Sequence, residues 1–252
     1  MTDALTPPSE SAPGIAEQQD QPSLDNIIVV LSRTTEPMNI GATCRAMKSM
    51  GLKNLRLISP LNPRGRTARA LAHGAEDILD GALVVDSLEE AIGDALVVTG
   101  TTARPRQLRK QAHLTPSSLA EHIVDHSRSG KVAILFGTER SGLTNDEVDI
   151  CRYLSSVDTA PEHGSLNLSQ AVMLYAWEIR QAWGLALHQE EEPREEPATE
   201  VRRPEMRVRH PHRSTRLPSQ LELKNMYGHI AAVMDAVGYT PHEKLKFMTY
   251  LR

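Results

Sequence analysis

The feature that most constrains this chain is a repeated alternation between short aliphatic runs and stretches with helical spacing. The aliphatic runs are IIVVL (27–31), NLRLIS (54–59), ALVVD (82–86), ALVVTG (95–100) and KVAILF (131–136). Nearly continuous apolar runs of this length are typical of strands that are buried on both faces. Strands separated by helices predict an α/β fold with a parallel sheet.

The stretches between these runs carry the spacing and the start signals of helices. Residues 39–50 place Ile40, Cys44 and Met47 on one face, and helices are also predicted over 66–73, 87–93 and 115–127. Thr144 with Glu147 forms a capping-box pattern. A long apolar helix is predicted from Leu168 to Trp183, where Asn167 with Gln170 gives another capping-box pattern.

The composition changes along the chain divide it into four segments. Residues 1–24 are acidic and proline-dotted and are predicted to be disordered, whereas 25–188 form the α/β domain. Residues 189–220 are charged, rich in proline and almost free of apolar residues, which predicts a linker. Residues 221–252 are predicted to form a small helical extension, broken at Gly238 and resumed at Pro241.

Composition also excludes several classes of protein. No apolar run approaches the roughly 20 residues that span a bilayer, and no signal-peptide pattern is present, so a cytoplasmic protein without a membrane segment is expected. Two cysteines give no disulfide framework, and the ten histidines lack metal-ligand spacing, so no metal is expected. Aromatic residues are only 4%, which disfavours a base-stacking platform.

Basic residues cluster in two acid-free segments, although the formal net charge is −4. Local positive fields of this kind bind phosphates even on a neutral protein; the alternative is two solvated faces. The clusters are Arg45, Lys48, Lys53, Arg56, Arg64, Arg66 and Arg69 in the first, and Arg104, Arg106, Arg109 and Lys110 in the second.

Four loops are expected beyond the carboxyl ends of strands, where α/β proteins bind ligands. They span 32–46, 99–110, 137–144 and 158–167. GTERSGLT (137–144) lacks the lysine of a phosphate-binding loop, no G-x-G-x-x-G follows the first strand, and Ser165 is not in a G-x-S-x-G elbow. Kinase, dehydrogenase, hydrolase and metalloenzyme functions are therefore disfavoured.

Three ordered motifs and the tail carry a resemblance to a known family. They are MNIGATCRAMKSMGLKNLRLISP (38–60), FGTERSGLTNDE (136–147), SLNLSQAV (165–172) and LELKNMYGHIAAVMDAVGYT (221–240). The chain resembles the TrmH-like 2′-O-ribose methyltransferases of the SPOUT superfamily, above all those that modify the first nucleotide of the tRNA anticodon loop. The resemblance implies a C-terminal trefoil knot, a homodimer, S-adenosylmethionine (AdoMet) as methyl donor, tRNA as substrate and no metal.

The resemblance also implies a role for individual residues. Arg45 would activate the ribose hydroxyl electrostatically, because an arginine is almost never a general base. Asn39 would orient Arg45 or its loop, or would simply cap the helix. Glu139 would orient Arg45 or bind the substrate; the alternative is a salt bridge with Arg140. Ser165 and Asn167 would reach towards the reacting ribose.

The predicted cofactor site gathers residues from three loops, and the predicted RNA contacts lie on two segments. For Val157 an ordinary core position is the alternative, and for Arg104 and Arg106 a solvated loop. Thr138 and His163 depart from the family, which more often has an arginine and a tyrosine at these positions. The cofactor residues are Thr101, Thr102, Ala103, Gly137, Val157, Gly164, Ser165 and Leu166, and the RNA-binding residues are Arg45, Lys48, Arg104 and Arg106.

Two rival functions stay open from the sequence. One is methylation of ribosomal RNA, which the tail disfavours because the tail resembles that of tRNA enzymes. The other is an RNA-binding protein that has lost catalysis, which the presence of all five predicted catalytic residues disfavours.

Overall fold

A computed structural model of the chain describes residues 21–103, 112–160, 162, 164–191 and 217–251. The strands are β1 (Ile27–Ser32), β2 (Asn54–Ile58), β3 (Leu83–Val85), β4 (Val97–Thr101), β5 (Ala112–Leu114), β6 (Val132–Phe136) and β7 (Tyr153–Ser155). The helices are α1 (Pro37–Met50), α2 (Arg66–Leu71), α3 (Glu76–Gly81), α4 (Leu88–Ile92), α5 (Pro116–Ser127), α6 (Asn145–Ile150), α7 (Leu168–Glu191), α8 (Gln220–Ala236) and α9 (Pro241–Leu251).

The strands form one sheet in the order β3-β2-β1-β6-β4-β7-β5, and every pairing in it is parallel. The predicted parallel α/β fold is therefore confirmed. Because all strands run in the same direction, their carboxyl ends meet at one edge of the sheet.

The two faces of the sheet are covered by different helices, which explains why residues Ile27 to Leu31 of β1 are all apolar. Ile27, Val29 and Leu31 of β1 face a core that also contains residues of α1, α5 and α7. Ile28 and Val30 face the other way, into a second core with residues of α4 and α6. Successive side chains of a strand point to opposite faces, so a strand with two covered faces is mostly apolar, and a buried polar side chain in it needs a hydrogen-bond partner. Thr99 of β4, for example, donates to the carbonyl oxygen of Ala133 at 3.1 Å.

Three short elements were not predicted from the sequence. Strands β5 and β7 have three residues each, and α3 has six. Their composition carries no strand or helix periodicity over so few residues. The two strands form because they extend the sheet: β7 pairs with both β4 and β5. In contrast, Ser87, Thr115 and Thr144 cap their helices through their side chains, as their positions predicted.

The ends of the α/β domain differ slightly from the predicted boundaries. Residues 21–24 belong to the segment predicted to be disordered, yet Leu24 is buried, and the indole N–H of Trp183 donates to the carbonyl oxygen of Pro22 at 3.1 Å. Helix α7 continues to Glu191, beyond the predicted end at Trp183. Residues 1–20 and most of the predicted linker, 192–216, lie outside the described residues.

The C-terminal extension consists of α8 and α9, which are separated by a turn with Gly238 at φ +83°. It begins on the edge of the sheet where β4 starts: the backbone N–H groups of Gln220 and Leu221 donate to the carbonyl oxygens of Ala95 and Gly93 at 2.9 and 3.1 Å. None of the helices among the described residues is long and apolar enough to cross a membrane.

Helices α1 and α2 approach each other so closely that only glycine fits at position 41. A Cβ atom on Gly41 would lie 2.1 Å from the backbone oxygen of Ala68. We therefore expect Gly41→Ala to lower the free energy of unfolding by about 1–3 kcal/mol, since the clash involves backbone and cannot be relieved by a rotamer change. Urea denaturation measures the change.

The matched control is Gly184→Ala in α7, where an added Cβ meets no heavy atom within 4 Å. This substitution should stabilise the protein by about 0.5–1 kcal/mol through helix propensity. Equal effects of the two variants would contradict the close approach of α1 and α2.

Candidate active site

A cavity of about 720 Å³ opens beside the carboxyl ends of β4 and β6. This volume lies within the range of about 300–1,000 Å³ that is usual for small-molecule sites. The wall includes all eight residues predicted to hold the cofactor, so the fold brings the three predicted loops together. These residues are Thr101, Thr102, Ala103, Gly137, Val157, Gly164, Ser165 and Leu166.

The lining suits a ligand with both apolar and polar parts. Phe136, Leu168 and Tyr175 provide apolar surface. Burial raises the pKa of the Tyr175 hydroxyl to about 12, although its hydrogen bond of 2.9 Å to Ser155 Oγ acts to lower the pKa. The phenol is therefore neutral at physiological pH. No group of three or more potential metal ligands is found among the residues that the structure describes.

The turn before α7 offers free backbone donors to this cavity. Within the described residues, the backbone N–H groups of Gly164, Ser165 and Leu166 make no hydrogen bond. Backbone N–H groups that lack a partner in the protein are suited to the oxygen and nitrogen acceptors of a bound ligand. The donor set and the cavity size therefore fit a cofactor such as AdoMet.

A directed series of hydrogen bonds connects three of the predicted catalytic residues. Asn167 Nδ2 donates to Asn39 Oδ1 at 3.0 Å, and Asn39 Nδ2 donates to Glu139 Oε1 at 3.0 Å. We call this series, Asn167 to Asn39 to Glu139, the amide relay. The Glu139 carboxylate also accepts from the backbone N–H groups of Thr35 and Glu36, each at 3.3 Å. The relay thus joins the loops that follow β1 and β6 to the start of α7.

The environment of Glu139 keeps its carboxyl group ionised. Partial burial acts to raise the pKa, but the hydrogen bonds from Asn39 and from backbone N–H groups outweigh it, so the pKa lies below its ordinary value. A carboxylate with a lowered pKa is a weak base. Glu139 is therefore suited to orient hydrogen-bond donors rather than to accept a proton.

Two of the interpretations left open by the sequence are wrong. Asn39 does not cap α1, because the N-cap is Glu36 and Asn39 lies inside the first turn, buried to 5% exposure. Within the described residues, Glu139 pairs with neither Arg45 nor Arg140; its partners are Asn39, Thr35 and Glu36. The sequence could not show this, because Asn39 and Glu139 are 100 positions apart.

Arg45 lies apart from the amide relay. It follows Asn39 by six residues on α1, which at 100° per residue places the two side chains on different sides of the helix. Its side chain is exposed, and its guanidinium makes no ion pair or hydrogen bond with the part of the chain that the structure describes. It is therefore available to a phosphate or to another molecule.

Asn167 both caps α7 and takes part in the relay. Its Oδ1 accepts the backbone N–H of Ser169 at 3.0 Å and the Ser169 hydroxyl at 2.7 Å, while its Nδ2 points to Asn39. A side-chain oxygen that accepts from the second residue of a helix is an N-cap interaction. Helix capping and site geometry are thus provided by the same side chain.

The loop that carries Glu139 is closed into a tight turn. Thr138 and Gly142 exchange two backbone hydrogen bonds of 3.2 and 3.0 Å, and Gly142 has φ +68°. A Cβ atom on Gly137 would lie 2.0 Å from the carbonyl carbon of Gly142. The Thr138 hydroxyl accepts the backbone N–H of Ser141 at 3.1 Å, so this departure from the family stabilises the turn.

A buried carboxylate next to the site was missed as a functional candidate. Glu147 accepts hydrogen bonds from the Ser32 hydroxyl, from Arg33 Nη2 at 2.9 Å and from the Thr144 backbone N–H at 2.7 Å. It therefore ties the end of β1 to the start of α6, next to Arg33, whose backbone has φ +48°. The sequence signalled only its capping role, which is confirmed.

Most of the first basic cluster is neutralised by acids from elsewhere in the chain. Five of its seven members are engaged: Lys48 with Asp77, Lys53 with Asp25, Arg56 with Asp94, Arg69 with Asp80, and Arg64 with the carbonyl oxygens of Asp80 and Ala82. The segment is acid-free in sequence but not in space. Arg104, Arg106, Arg109 and Lys110 lie outside the described residues, as does His163.

Comparison of the fold with solved structures first defines the class. The chain is similar to a probable methylase family protein from Haemophilus influenzae, with 34% identity, coverage of 91% of this chain and 86% of that one, and a TM-score of 0.64. TrmJ from Z. mobilis gives 34% identity, 89% and 87% coverage, and a TM-score of 0.65. The fold is that of a methyltransferase.

The family follows from the sequence match. The model of the SpoU rRNA Methylase family matches residues 26–177, and the chain belongs to this family. It is 38% identical to the tRNA (cytidine/uridine-2′-O-)-methyltransferase TrmJ of Cronobacter sakazakii over 230 residues, or 91% of this chain and 87% of that protein. The corresponding enzyme of Pseudomonas aeruginosa, a tRNA (cytidine/uridine/adenosine-2′-O-)-methyltransferase, is 38% identical over 222 residues, or 88% and 82%. The resemblance found in the sequence motifs is confirmed.

The network around Glu147 gives a pH-dependent stability. Burial of this carboxyl acts to raise its pKa, but the hydrogen bonds from Ser32, Thr144 and Arg33 outweigh it, and the pKa is lowered. Its contribution is therefore complete above the unfolded-state pKa of about 4.3 and is lost as the pH falls through the folded-state value. We expect Glu147→Gln to destabilise the protein by about 1–3 kcal/mol at pH 7 and by less at pH 3, which lies below the unfolded-state pKa.

Urea denaturation at the two pH values measures this difference. The matched control is Glu222→Gln, since Glu222 occupies the same capping-box position in α8 but is exposed. A loss for Glu147→Gln that is equal at both pH values would contradict the assignment.

Proposed function

We propose that this protein transfers a methyl group from AdoMet to the 2′-hydroxyl of a tRNA ribose, at the first nucleotide of the anticodon loop. The observation that carries the proposal is the extent of the similarity to tRNA 2′-O-methyltransferases, which covers 91% of the chain. That share includes more than the α/β domain alone.

The cavity beside β4 and β6 is the proposed AdoMet site. Thr101, Thr102 and Ala103 would line one side, and Gly164, Ser165 and Leu166 the other, with their backbone N–H groups turned to the ligand. When bound, AdoMet supplies an electrophilic methyl group on its sulfonium. The protein has to hold the ribose oxygen in line with that methyl group.

The proposed roles of the catalytic residues follow from their placement. Arg45 neutralises a substrate phosphate or the charge that develops on the ribose oxygen, because its guanidinium is permanently charged and exposed. The amide relay fixes Asn39, Glu139 and Asn167 with respect to each other. Ser165 contacts the ribose from the cavity wall. The family resemblance, rather than placement, assigns Lys48, Arg104 and Arg106 to phosphates further along the RNA.

We further propose that the active form is a homodimer in which Arg45 acts at the partner's cavity. Met173 and Trp177 lie one turn apart on α7 and are 38% and 52% exposed, and Met38 at the start of α1 is 48% exposed. Exposed apolar side chains grouped on helices are typical of protein interfaces. An interface here would explain an Arg45 that is separate from the relay of its own chain.

The trefoil knot is also a proposal. Strand β7 lies between β4 and β5, although both precede it in the chain. The end of the domain is therefore inserted between earlier segments, an arrangement that supports a threaded topology. We place the protein in the cytoplasm, where its tRNA substrate occurs.

Ribosomal RNA is the second candidate substrate, because the matching family is described as one of rRNA methylases. To separate the two, purified protein is incubated with radiolabelled AdoMet and unmodified tRNA or ribosomal RNA, and the methylated nucleotide is mapped. We expect label in tRNA, as a 2′-O-methyl group at the first anticodon-loop nucleotide. Label in ribosomal RNA alone would show that ribosomal RNA, not tRNA, is the substrate. RNA that is bound but not labelled would indicate a non-catalytic RNA-binding protein.

Removal of the Arg45 guanidinium should abolish transfer and leave AdoMet binding intact. We expect Arg45→Ala to lower kcat by about 10²-fold or more, the size of effect seen when a transition-state charge partner is lost. The dissociation constant of AdoMet, measured by calorimetry, should stay within about twofold, which is less than 0.5 kcal/mol.

The control is Arg152→Ala. Arg152 is also exposed, but it precedes the first residue of β7, whereas the cavity is lined by residues that follow the last one. It should retain activity. An Arg45→Ala variant that keeps most of its activity would refute the electrostatic role.

A further inference from the structure

We infer that Ser169 is a positioning residue that sets the orientation of the amide relay; this inference builds on the proposed function. Ser169 lies at the second position of α7, immediately after Leu168. Within the described residues, its hydrogen bonds to the relay all go to Asn167, and Ser169 is neither one of the predicted site residues nor part of the cavity lining.

The orientation of the Asn167 amide is determined by Ser169. Asn167 Oδ1 lies 3.0 Å from the Ser169 backbone nitrogen and 2.7 Å from its hydroxyl oxygen. A backbone N–H can only be matched by an acceptor, so the oxygen of the amide has to be on this side. The amide nitrogen therefore faces Asn39 Oδ1.

The same constraint passes through Asn39 to Glu139. Asn39 turns its oxygen to Asn167, which leaves its nitrogen to donate to the Glu139 carboxylate. If Asn167 were flipped, either two oxygens would face each other or the Asn39 oxygen would face the negatively charged Glu139. Each amide can therefore satisfy its neighbours in only one orientation, which is fixed by the Glu139 carboxylate at one end and by the Ser169 backbone N–H at the other.

The Ser169 hydroxyl is needed because Asn167 is exposed. An exposed asparagine held by one backbone N–H has other rotamers open to it, whereas Ser169 adds a second and shorter hydrogen bond. Ser169 itself is half-buried, so its hydroxyl is placed by packing. The serine thereby holds Asn167 in the rotamer that reaches Asn39.

The test compares Ser169→Ala with a serine in the same local setting. Ser117 also lies at the second position of a helix, α5, and its hydroxyl is 3.1 Å from that of the capping Thr115. We expect Ser169→Ala to lower kcat about tenfold with the KM for AdoMet unchanged, the effect of about one hydrogen bond. Ser117→Ala should not change kcat, and Ser169→Thr, which keeps the hydroxyl, should restore it.

A second readout does not depend on the substrate. The side-chain amide resonances of Asn39 and Asn167, followed by ¹⁵N NMR, should both shift in Ser169→Ala and stay in place in Ser117→Ala. Unchanged Asn39 resonances would overturn the inference, even if the wild-type protein proved inactive on tRNA. Failure of the wild-type protein to methylate tRNA would instead count against the proposed function.

A thermal-unfolding measurement separates positioning from capping. A purely structural serine would lower the melting temperature and leave kcat unchanged, which would also overturn the inference. A double-mutant cycle with Asn167→Ala gives the final check: the kcat effect of Ser169→Ala should disappear in that background, because Ser169 acts through Asn167. Additive effects would show that Ser169 acts by another route.

Discussion

The parallel pairing of β6 with β1 on one side and β4 on the other is the constraint on which the site depends. Leu31 pairs with Phe136 and Gly100 with Leu135, so these three strands end at nearly the same height. The loops that follow them then emerge side by side. Without this shared edge, segments separated by about a hundred residues would have no reason to meet.

The strands that form this edge can be predicted from the sequence, but the hydrogen bonds between the loops that follow them cannot. A run such as IIVVL has to be buried on both faces, and the fold buries it on both. Asn39 and Glu139 are polar residues in loops or at a helix start, and nothing local indicates that one donates to the other. Their pairing follows from strand order, which periodicity does not encode. For the same reason β5 and β7, which depend on the rest of the sheet, escaped prediction.

The sequence predicted correctly which residues line the cavity, but it was misleading about the net charge of the basic segment. All eight residues expected around the cofactor line one cavity, because they follow strands that end together. The acid-free segment after Glu36 suggested an open basic surface, yet Asp25, Asp77, Asp80 and Asp94 neutralise much of it. The separation of charges along the sequence does not predict which of them meet in space, because the parallel sheet brings remote segments together.

The carboxylates that accompany these basic side chains act as built-in counterions. Lys48 and Asp77 are both exposed, so an RNA phosphate that reaches Lys48 takes the place of Asp77 rather than of a dissolved anion. Fewer salt ions are then released on binding than the number of phosphate contacts indicates. On the RNA-binding surface proposed above, the affinity for RNA would accordingly fall less steeply with ionic strength, and discrimination between RNAs would depend more on how well each one displaces the protein's own acids.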